Sequence, residues 1–213
     1  MDKNRKIDVM GIINLTDNSY FAESRCLGAD GSDDITKVLG RAEMMIRDGA
    51  GILDIGACST RPGSDPVGEE EEWRRLEPAL KAIRREFPAI TISVDTYWPS
   101  VVRKIYDAIG EFIVNDVTAG EGMYEKVNAD EPGKMLATVA GLGLPFVAMH
   151  MRGNPKTMQS LTEYGDITED IRSYFTAFAE KAAKAGVREW ILDPGFGFAK
   201  TVEQNYELLR NLG

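Results

Sequence analysis

The 213 residues include 43% hydrophobic and 28% charged residues, a composition typical of a globular protein with a sizeable core. The net charge of −9 and the isoelectric point near 4.8 argue against nucleic acid or an anionic membrane as a partner. No stretch approaches the ~18 consecutive apolar residues of a membrane span, and the charged N-terminus lacks an apolar signal region. These features predict a soluble, cytoplasmic protein.

The chain contains few residues that could hold a zinc ion or form a disulfide framework. Cys26 and Cys58 fit no Cys-x-x-Cys spacing, and His150 is the one histidine. We therefore expect two reduced thiols and no structural zinc site. His150 ends an apolar run, where a hydrogen-bonded core histidine is the more common arrangement.

Short apolar runs rich in Val and Ile alternate with helical patterns along the whole chain. Strands are predicted at 7–14, 51–56, 91–95, 112–115, 145–150 and 189–193. Helices are predicted at 33–48, 69–86, 100–109, 133–142, 167–185 and 202–212. This alternation indicates βαβ units around a parallel sheet.

Six units are two fewer than a closed (β/α)₈ barrel of roughly 250 residues contains, and a doubly wound open sheet also accommodates six strands. The strand ends separate the two folds. A barrel gathers the carboxyl ends of all its strands at one mouth, whereas an open sheet binds ligands at one switch point. Each strand candidate ends in a polar residue: Asn14, Asp54, Asp95, Asn115, His150 and Asp193. We therefore predict an α/β fold of the TIM (β/α)₈ type with about six units present, forming a single domain over residues 1–213.

Long polar loops follow the first two predicted strands, and such loops are commonly functional. Arg61 lies in the second loop between Thr60 and Pro62. A guanidinium on this turn-forming segment could bind a phosphate or a carboxylate in bidentate fashion. The alternative is a salt bridge to one of the nearby glutamates.

The strand ends also predict the chemistry of a ligand. Asp95, Asn115 and Asp193 would meet at the barrel mouth and provide hydrogen-bond acceptors and donors but no nucleophile. This set suits a flat heterocycle with amino and ring N–H groups, because a buried carboxylate without a partner is costly. Met149 and Phe198 would supply apolar walls.

A glycine-rich run, D-P-G-F-G-F-A-K-T, follows the sixth predicted strand. Its spacing differs from that of a phosphate-binding P-loop, because a single residue separates the glycines and alanine precedes the lysine. We expect Gly195 and Gly197 to allow a tight turn beside Asp193. Phe198 and Lys200 are then expected to point into the ligand site.

Six sequence blocks stand out along the chain: V-M-G-I-I-N-L-T, D-I-G-A-C-S-T-R-P-G, S-V-D-T, V-N-D-V, M-H-M-R-G-N-P-K-T-M-Q and D-P-G-F-G-F-A-K-T. They resemble blocks of the dihydropteroate synthases, which are (β/α)₈ enzymes. They occur in family order along the chain. The resemblance implies that a dihydropterin hydroxymethyl diphosphate is joined to p-aminobenzoate, giving dihydropteroate and pyrophosphate through an SN1-like displacement.

The resemblance also assigns residues to this reaction. The catalytic residues would be Asn14, Asp95 and Asp193. The pterin would be bound by Asp95, Asn115, Met149, Asp193 and Phe198. The p-aminobenzoate and pyrophosphate would contact Thr60, Arg61, Pro62, Ser19 and Tyr20. Asn14 would also contact Mg²⁺, the implied cofactor, and the family suggests a homodimer.

The chain departs from the family pattern at a few positions. Asp17 replaces a proline and Asn18 an aspartate in the first loop, and Cys58 stands where glutamate is common. Ala199 replaces a glycine before Lys200, so the backbone there must have a negative φ or bear modest strain.

Family members continue for two further βα units, so we expect the domain to be C-terminally incomplete. The first and sixth strands would then expose unpaired edges and apolar surface. We also expect little or no activity from these 213 residues as an isolated monomer. Two other functions stay open: a methyltetrahydrofolate-type pterin-binding methyltransferase, and a non-catalytic pterin-binding module.

Overall fold

The computed structural model describes residues 7–15, 35–58, 67–122 and 134–212. The described residues form two compact units. The N-terminal unit extends to Asn115, and the C-terminal unit starts at Asp116. Among the helices in these ranges, none combines the length and the apolar character needed to cross a membrane.

All of the described strand pairs are parallel. The strands are β1 (Val9–Asn14), β2 (Ala50–Gly56), β3 (Thr91–Asp95), β4 (Ile113–Asp116), β5 (Phe146–Met149) and β6 (Trp190–Asp193). In the N-terminal unit β1 pairs with β2, β2 with β3, and β3 with β4. In the C-terminal unit β5 pairs with β6. Parallel neighbours place their carboxyl ends at the same edge of a sheet. Asn14, Asp95 and Asn115 lie at such ends in the N-terminal unit, and Asp193 does so in the C-terminal unit.

Within the described ranges, six α-helices alternate with the strands. They are α1 (Ile35–Arg47), α2 (Glu69–Glu86), α3 (Pro99–Ile109), α4 (Lys134–Leu142), α5 (Ile167–Ala185) and α6 (Val202–Arg210). A 3₁₀ turn covers Met158–Ser160. The predicted elements agree with these bounds to within two residues, and α2 and α5 agree residue for residue.

Local signals in the sequence account for the helix ends. Pro99 occupies the first turn of α3, where a missing N–H costs nothing. The Thr201 hydroxyl accepts from the N–H of Gln204, and the Gln204 side chain accepts from the Thr201 N–H, so α6 begins with a capping box. Gly186 ends α5 with a left-handed φ of 89°.

The core of each unit is built from helix faces with apolar residues three and four positions apart. In α2, Leu76, Leu80 and Ile83 are fully buried. In the C-terminal unit, Ile167 and Ile171 of α5 pack with Leu208 of α6. Each such side chain contributes about 1.5–3 kcal/mol by leaving water.

Apolar side chains are exposed on β1 and β6, as the sequence predicts. Val9 and Ile12 are each 55% exposed, and Ile191 and Leu192 are 45% and 41% exposed. Among the described strands, β1 pairs with β2 alone and β6 with β5 alone. Each therefore has one edge whose backbone groups lack a partner among those strands.

Candidate functional site

Polar side chains of the N-terminal unit form one row across the carboxyl ends of its strands. The strand register pairs Asn14 with Gly56, Gly56 with Asp95, and Asp95 with Asn115. Residues paired in this way project to the same face of a sheet. The structure thus brings together three of the predicted site residues, Asn14, Asp95 and Asn115, and each is only partly buried.

Gly56 has no side chain, and the side chains of Asn14 and Asp95 extend into the space that one would fill. A Cβ atom at this position would lie 3.5 Å from Asp95 Oδ2 and 3.6 Å from Asn14 Oδ1. A carboxylate oxygen and a carboxamide oxygen therefore approach the same point above the glycine. This pair of oxygens is the acceptor centre of the row.

The buried carboxylate of Asp54, predicted from the sequence only as a polar strand end, contacts the row at Asn115. Asp54 is 5% exposed, and its Oδ1 accepts from the fully buried Ser93 hydroxyl at 2.6 Å. Asn115 Nδ2 lies 3.2 Å from Asp54 Oδ1 and 3.3 Å from Oδ2. Burial raises the pKa of Asp54, and the hydrogen bonds from Ser93 and Asn115 oppose that rise.

The C-terminal unit places two further predicted residues side by side. Met149 of β5 is paired with Asp193 of β6, and the His150 N–H donates to the Asp193 carbonyl at 2.9 Å. The Asp193 carboxylate accepts from the Gly195 N–H at 2.8 Å, which folds the glycine-rich loop back onto the strand end. Met149 is buried and Phe198 is partly buried.

The two glycines of this loop have the backbone that the sequence predicts. Gly195 has φ +69° and Gly197 has φ +83°, values that a side chain disfavours. Ala199 has φ +50°. Its backbone therefore bears the modest strain that was predicted as the alternative to a negative φ. The Asn205 side chain of α6 accepts from the Gly197 N–H at 2.8 Å and ties the loop to that helix.

The expectation that Lys200 points into the ligand site is wrong. Its ammonium is buried and donates to the carbonyls of Gly195 and Phe198, each at 2.9 Å, and it contacts the His150 carbonyl and Nδ1 at 3.3 and 3.1 Å. Three donors are thus shared among four acceptors of the C-terminal unit. Lys200 holds the loop together, and burial lowers its pKa to about 8.

His150 is a hydrogen-bonded core residue, as the sequence favoured. It is 3% exposed and packs edge-on against Tyr174, with ring centres 4.8 Å apart. Burial and the neighbouring Lys200 charge lower the pKa of His150 to about 4. The imidazole is therefore neutral at physiological pH.

Asp116 is a second buried carboxylate, and it shapes the turn that follows Asn115. It accepts from the N–H and hydroxyl of Thr118, at 2.8 and 2.7 Å, and from the Gly120 N–H at 3.0 Å. Ala119 and Gly120 both have positive φ in this turn. Burial raises the pKa of Asp116 to about 6, well above its ordinary value of 3.8.

This raised pKa predicts a pH dependence of stability. Between about pH 4 and pH 6 the native state keeps the Asp116 proton while the unfolded chain releases it, so stability from this group is present below pH 4 and is lost as the pH rises through 6. We expect the free energy of unfolding of the wild type, relative to Asp116→Asn, to fall by about 2 kcal/mol between pH 4 and pH 7. Urea titrations of both proteins at these two pH values measure this, and a difference that does not change with pH would contradict it.

The remaining predicted site residues, Ser19, Tyr20, Thr60, Arg61 and Pro62, lie outside the described residues. Within the described ranges, no group of three or more His, Cys, Asp and Glu side chains could hold a metal ion. Asn14, the predicted Mg²⁺ ligand, lies within the described residues.

Alternating parallel strands and helices, with hydrogen-bonding side chains at the carboxyl ends of the strands, define an α/β enzyme of the barrel class. The sequence profile of the family described as pterin binding enzyme matches residues 10–213. The chain therefore belongs to the pterin-binding enzymes. Within them it belongs to the dihydropteroate synthase family, because it is 40% identical to a synthase of which it covers 68%.

Individual relatives agree with this assignment. The dihydropteroate synthase of Synechocystis sp. is 40% identical over 215 residues, which cover 99% of this chain and 68% of that protein. The folic acid synthesis protein fol1 of Schizosaccharomyces pombe is 42% identical over 206 residues, or 95% of this chain. The match spans only 26% of the fol1 protein.

Solved structures of the family share the fold. The Yersinia pestis dihydropteroate synthase in a sulfonamide drug complex superimposes with a TM-score of 0.81 at 36% identity, covering 96% of this chain and 69% of that one. The Thermus thermophilus enzyme in complex with 4-aminobenzoate gives a TM-score of 0.75 at 35% identity, covering 97% and 68%. The predicted barrel-type fold is thereby confirmed.

Proposed function

We propose that the chain carries the dihydropteroate synthase reaction, which joins 7,8-dihydropterin-6-ylmethyl diphosphate to p-aminobenzoate and releases diphosphate. One observation carries the proposal: Asn14, Asp95 and Asn115 form a single row at the carboxyl ends of β1, β3 and β4. The row is rich in acceptors and contains no nucleophile. The relatives named dihydropteroate synthase and the 4-aminobenzoate complex of one of them support the same reaction.

In this proposal the pterin ring is bound by its polar edges and held by its faces. Asp95 and Asn115 accept from and donate to ring groups, and Asp193 provides a further carboxylate. Met149 and Phe198 cover the apolar faces, as a pocket for a flat heterocycle requires. Residues 1–213 would then act as one pterin-binding domain.

The chemistry requires charge stabilisation more than bond formation by the protein. The bond between the pterin methylene carbon and the diphosphate oxygen breaks, and its electron pair leaves with the diphosphate. The ring nitrogens share the resulting positive charge, which the carboxylates Asp95 and Asp193 stabilise. The aniline nitrogen of p-aminobenzoate then forms the new C–N bond and loses a proton to solvent.

The residues around Gly56 fit the Mg²⁺ that the family implies. Asn14 Oδ1 and Asp95 Oδ2 approach one point, and Mg²⁺ is bound in proteins by a few such oxygens together with substrate phosphates. Asn14 would hold the ion, which when bound neutralises charge on the leaving diphosphate. Thr60, Arg61 and Pro62, with Ser19 and Tyr20, would bind the diphosphate and p-aminobenzoate.

Replacement of Asp95 tests the pterin assignment. We expect Asp95→Asn to weaken binding of the dihydropterin diphosphate about 30-fold, or ~2 kcal/mol, because an amide N–H would replace an acceptor facing ring donors. Asp107→Asn is the matched control, since it removes the same charge from the exposed surface of α3. Isothermal titration calorimetry measures both. Equal affinities of Asp95→Asn and the wild type would remove Asp95 from the pterin site.

Sequential titration separates the synthase from the two alternatives. Binding of p-aminobenzoate to the pterin-loaded protein supports the synthase, and dihydropteroate formation, of which we expect little or none from an isolated monomer, would establish the reaction. Pterin binding alone supports a non-catalytic module, and binding of methyltetrahydrofolate in preference to the diphosphate supports a methyltransferase. We also propose that the protein acts in the cytoplasm and that it forms a homodimer. Light scattering of the purified protein would test the homodimer.

A further inference from the structure

The buried Asp54 and the partly buried Asn115 form a hydrogen-bonded pair that fixes the orientation of the Asn115 amide. Asn115 Nδ2 sits within 3.3 Å of both Asp54 carboxylate oxygens, while Ser93 donates to Oδ1 from the far side. The Asn115 backbone is fixed as well, because its carbonyl accepts from the Thr96 N–H at 3.0 Å. The amide group therefore keeps one position, with its nitrogen against the carboxylate.

The opposite orientation of the amide is excluded by charge. Rotation by 180° would put the Asn115 oxygen about as close to Asp54 as its nitrogen now is, and two acceptors would then face each other. An unpaired buried acceptor of this kind costs ~1–3 kcal/mol, and more for a charged group. The Asp54 carboxylate thus accepts from one N–H of the Asn115 amide. The second N–H and the amide oxygen are left for a ligand, and their positions relative to each other are fixed.

We propose that Asp54 is a positioning residue that sets the ligand specificity of the site. It fixes the orientation of the Asn115 amide, so that the donor N–H and the acceptor oxygen of this amide face a ligand at defined positions. The ligand edge that matches this pair has a ring-nitrogen acceptor next to an exocyclic N–H donor, as in a 2-amino-pyrimidine ring. A 2-oxo ring such as lumazine presents the reverse order and is rejected. This inference rests on the proposed pterin site, since Asn115 must contact the ring.

The substitution Asp54→Asn tests this fixed orientation of Asn115 with little change in the shape of side chain 54. Its amide N–H₂ would replace one of the two oxygens that face the Asn115 nitrogen and would remove the carboxylate charge, so the preference of the Asn115 amide for one orientation is weakened. We expect pterin to bind about 10-fold more weakly, and the ratio of the lumazine to the pterin dissociation constant to fall about 10-fold. A ratio within about twofold of the wild-type value would overturn the proposal.

The exchanged pair Asp54→Asn with Asn115→Asp separates positioning from simple stability. It restores one carboxylate and one amide in contact, so the unfolding midpoint should recover toward that of the wild type. The preference for pterin over lumazine should not recover, because residue 115 then lacks an N–H for the ligand. Recovery of both properties together would show that Asp54 is only a structural residue.

A measurement without ligand keeps this inference separate from the proposed function. In ¹⁵N-resolved NMR spectra, the side-chain amide signals of Asn115 are identified by their loss in Asn115→Asp. We expect these signals to shift or broaden in Asp54→Asn. Unchanged signals would show that Asp54 does not fix the orientation of the Asn115 amide. If the signals shift but the wild type binds neither pterin nor lumazine, the proposed function fails, and the specificity claim fails with it. The conclusion that Asp54 orients Asn115 would still hold.

Discussion

A Gly195→Ala variant is expected to lose about 4 kcal/mol of its free energy of unfolding and to bind pterin poorly. The added Cβ would lie 2.2 Å from the His150 carbonyl oxygen and 3.1 Å from Met149 Cγ. The first contact is closer than packed atoms allow and is to backbone, which cannot turn away as a side chain can; the second is tight, and the Met149 side chain would have to shift. Overpacking costs about 1–3 kcal/mol, and a left-handed φ of +69° adds ~1–2 kcal/mol for an alanine.

Gly197→Ala provides the matched control for this prediction. Gly197 belongs to the same loop and has a φ of +83°, but a Cβ there would meet nothing within 4 Å. This variant should lose only the conformational part, ~1–2 kcal/mol. Urea unfolding of the two variants compares them directly. Equal losses would show that the contact with His150 contributes little.

Lys200→Met is the second large expected effect. The methionine fills similar space but leaves the carbonyls of Gly195, Phe198 and His150 without their shared donor. At ~1–3 kcal/mol for each buried group left unpaired, and with part of the burial cost of the ammonium removed, the net loss should be about 3–4 kcal/mol. The loop that carries Phe198 would loosen, so pterin binding should weaken together with stability.

The pH dependence of this loss identifies its cause. The native pKa of Lys200 is about 8 and its ordinary value is 10.5, so between these values the unfolded chain holds the proton that the native state has released. Wild-type stability should therefore rise relative to Lys200→Met from pH 8 to pH 10, by about 2 kcal/mol. Lys184→Met, on the exposed surface of α5, should show neither the loss nor the pH dependence.

The secondary structure could be predicted from the sequence because its signals are local. The apolar spacing of α2, the proline that begins α3 and the capping box of α6 lie within the segments that they define. The row formed by Asn14, Asp95 and Asn115 also followed from the sequence, since parallel strands align their carboxyl ends.

The support of the site could not be predicted, because it depends on contacts between distant residues. Asp54 and Asn115 are 61 positions apart, and Lys200 and His150 are 50 apart. Spacing gives no sign that the Lys200 ammonium turns back onto its own loop. A signal for Asp54 was present: a carboxylate in the middle of an apolar strand must find partners, and polar residues such as Ser93 on the next strand could supply them.

Among the described strands, β1 and β6 each have one edge without a partner, and this bears on how the protein behaves in concentrated solution. An apolar strand with a free row of backbone groups is a template to which another extended chain can add. Mutual repulsion between molecules of net charge −9 opposes this addition at neutral pH. Acidification toward the isoelectric point near 4.8 removes that repulsion, so colloidal stability is lowest in mildly acidic buffers.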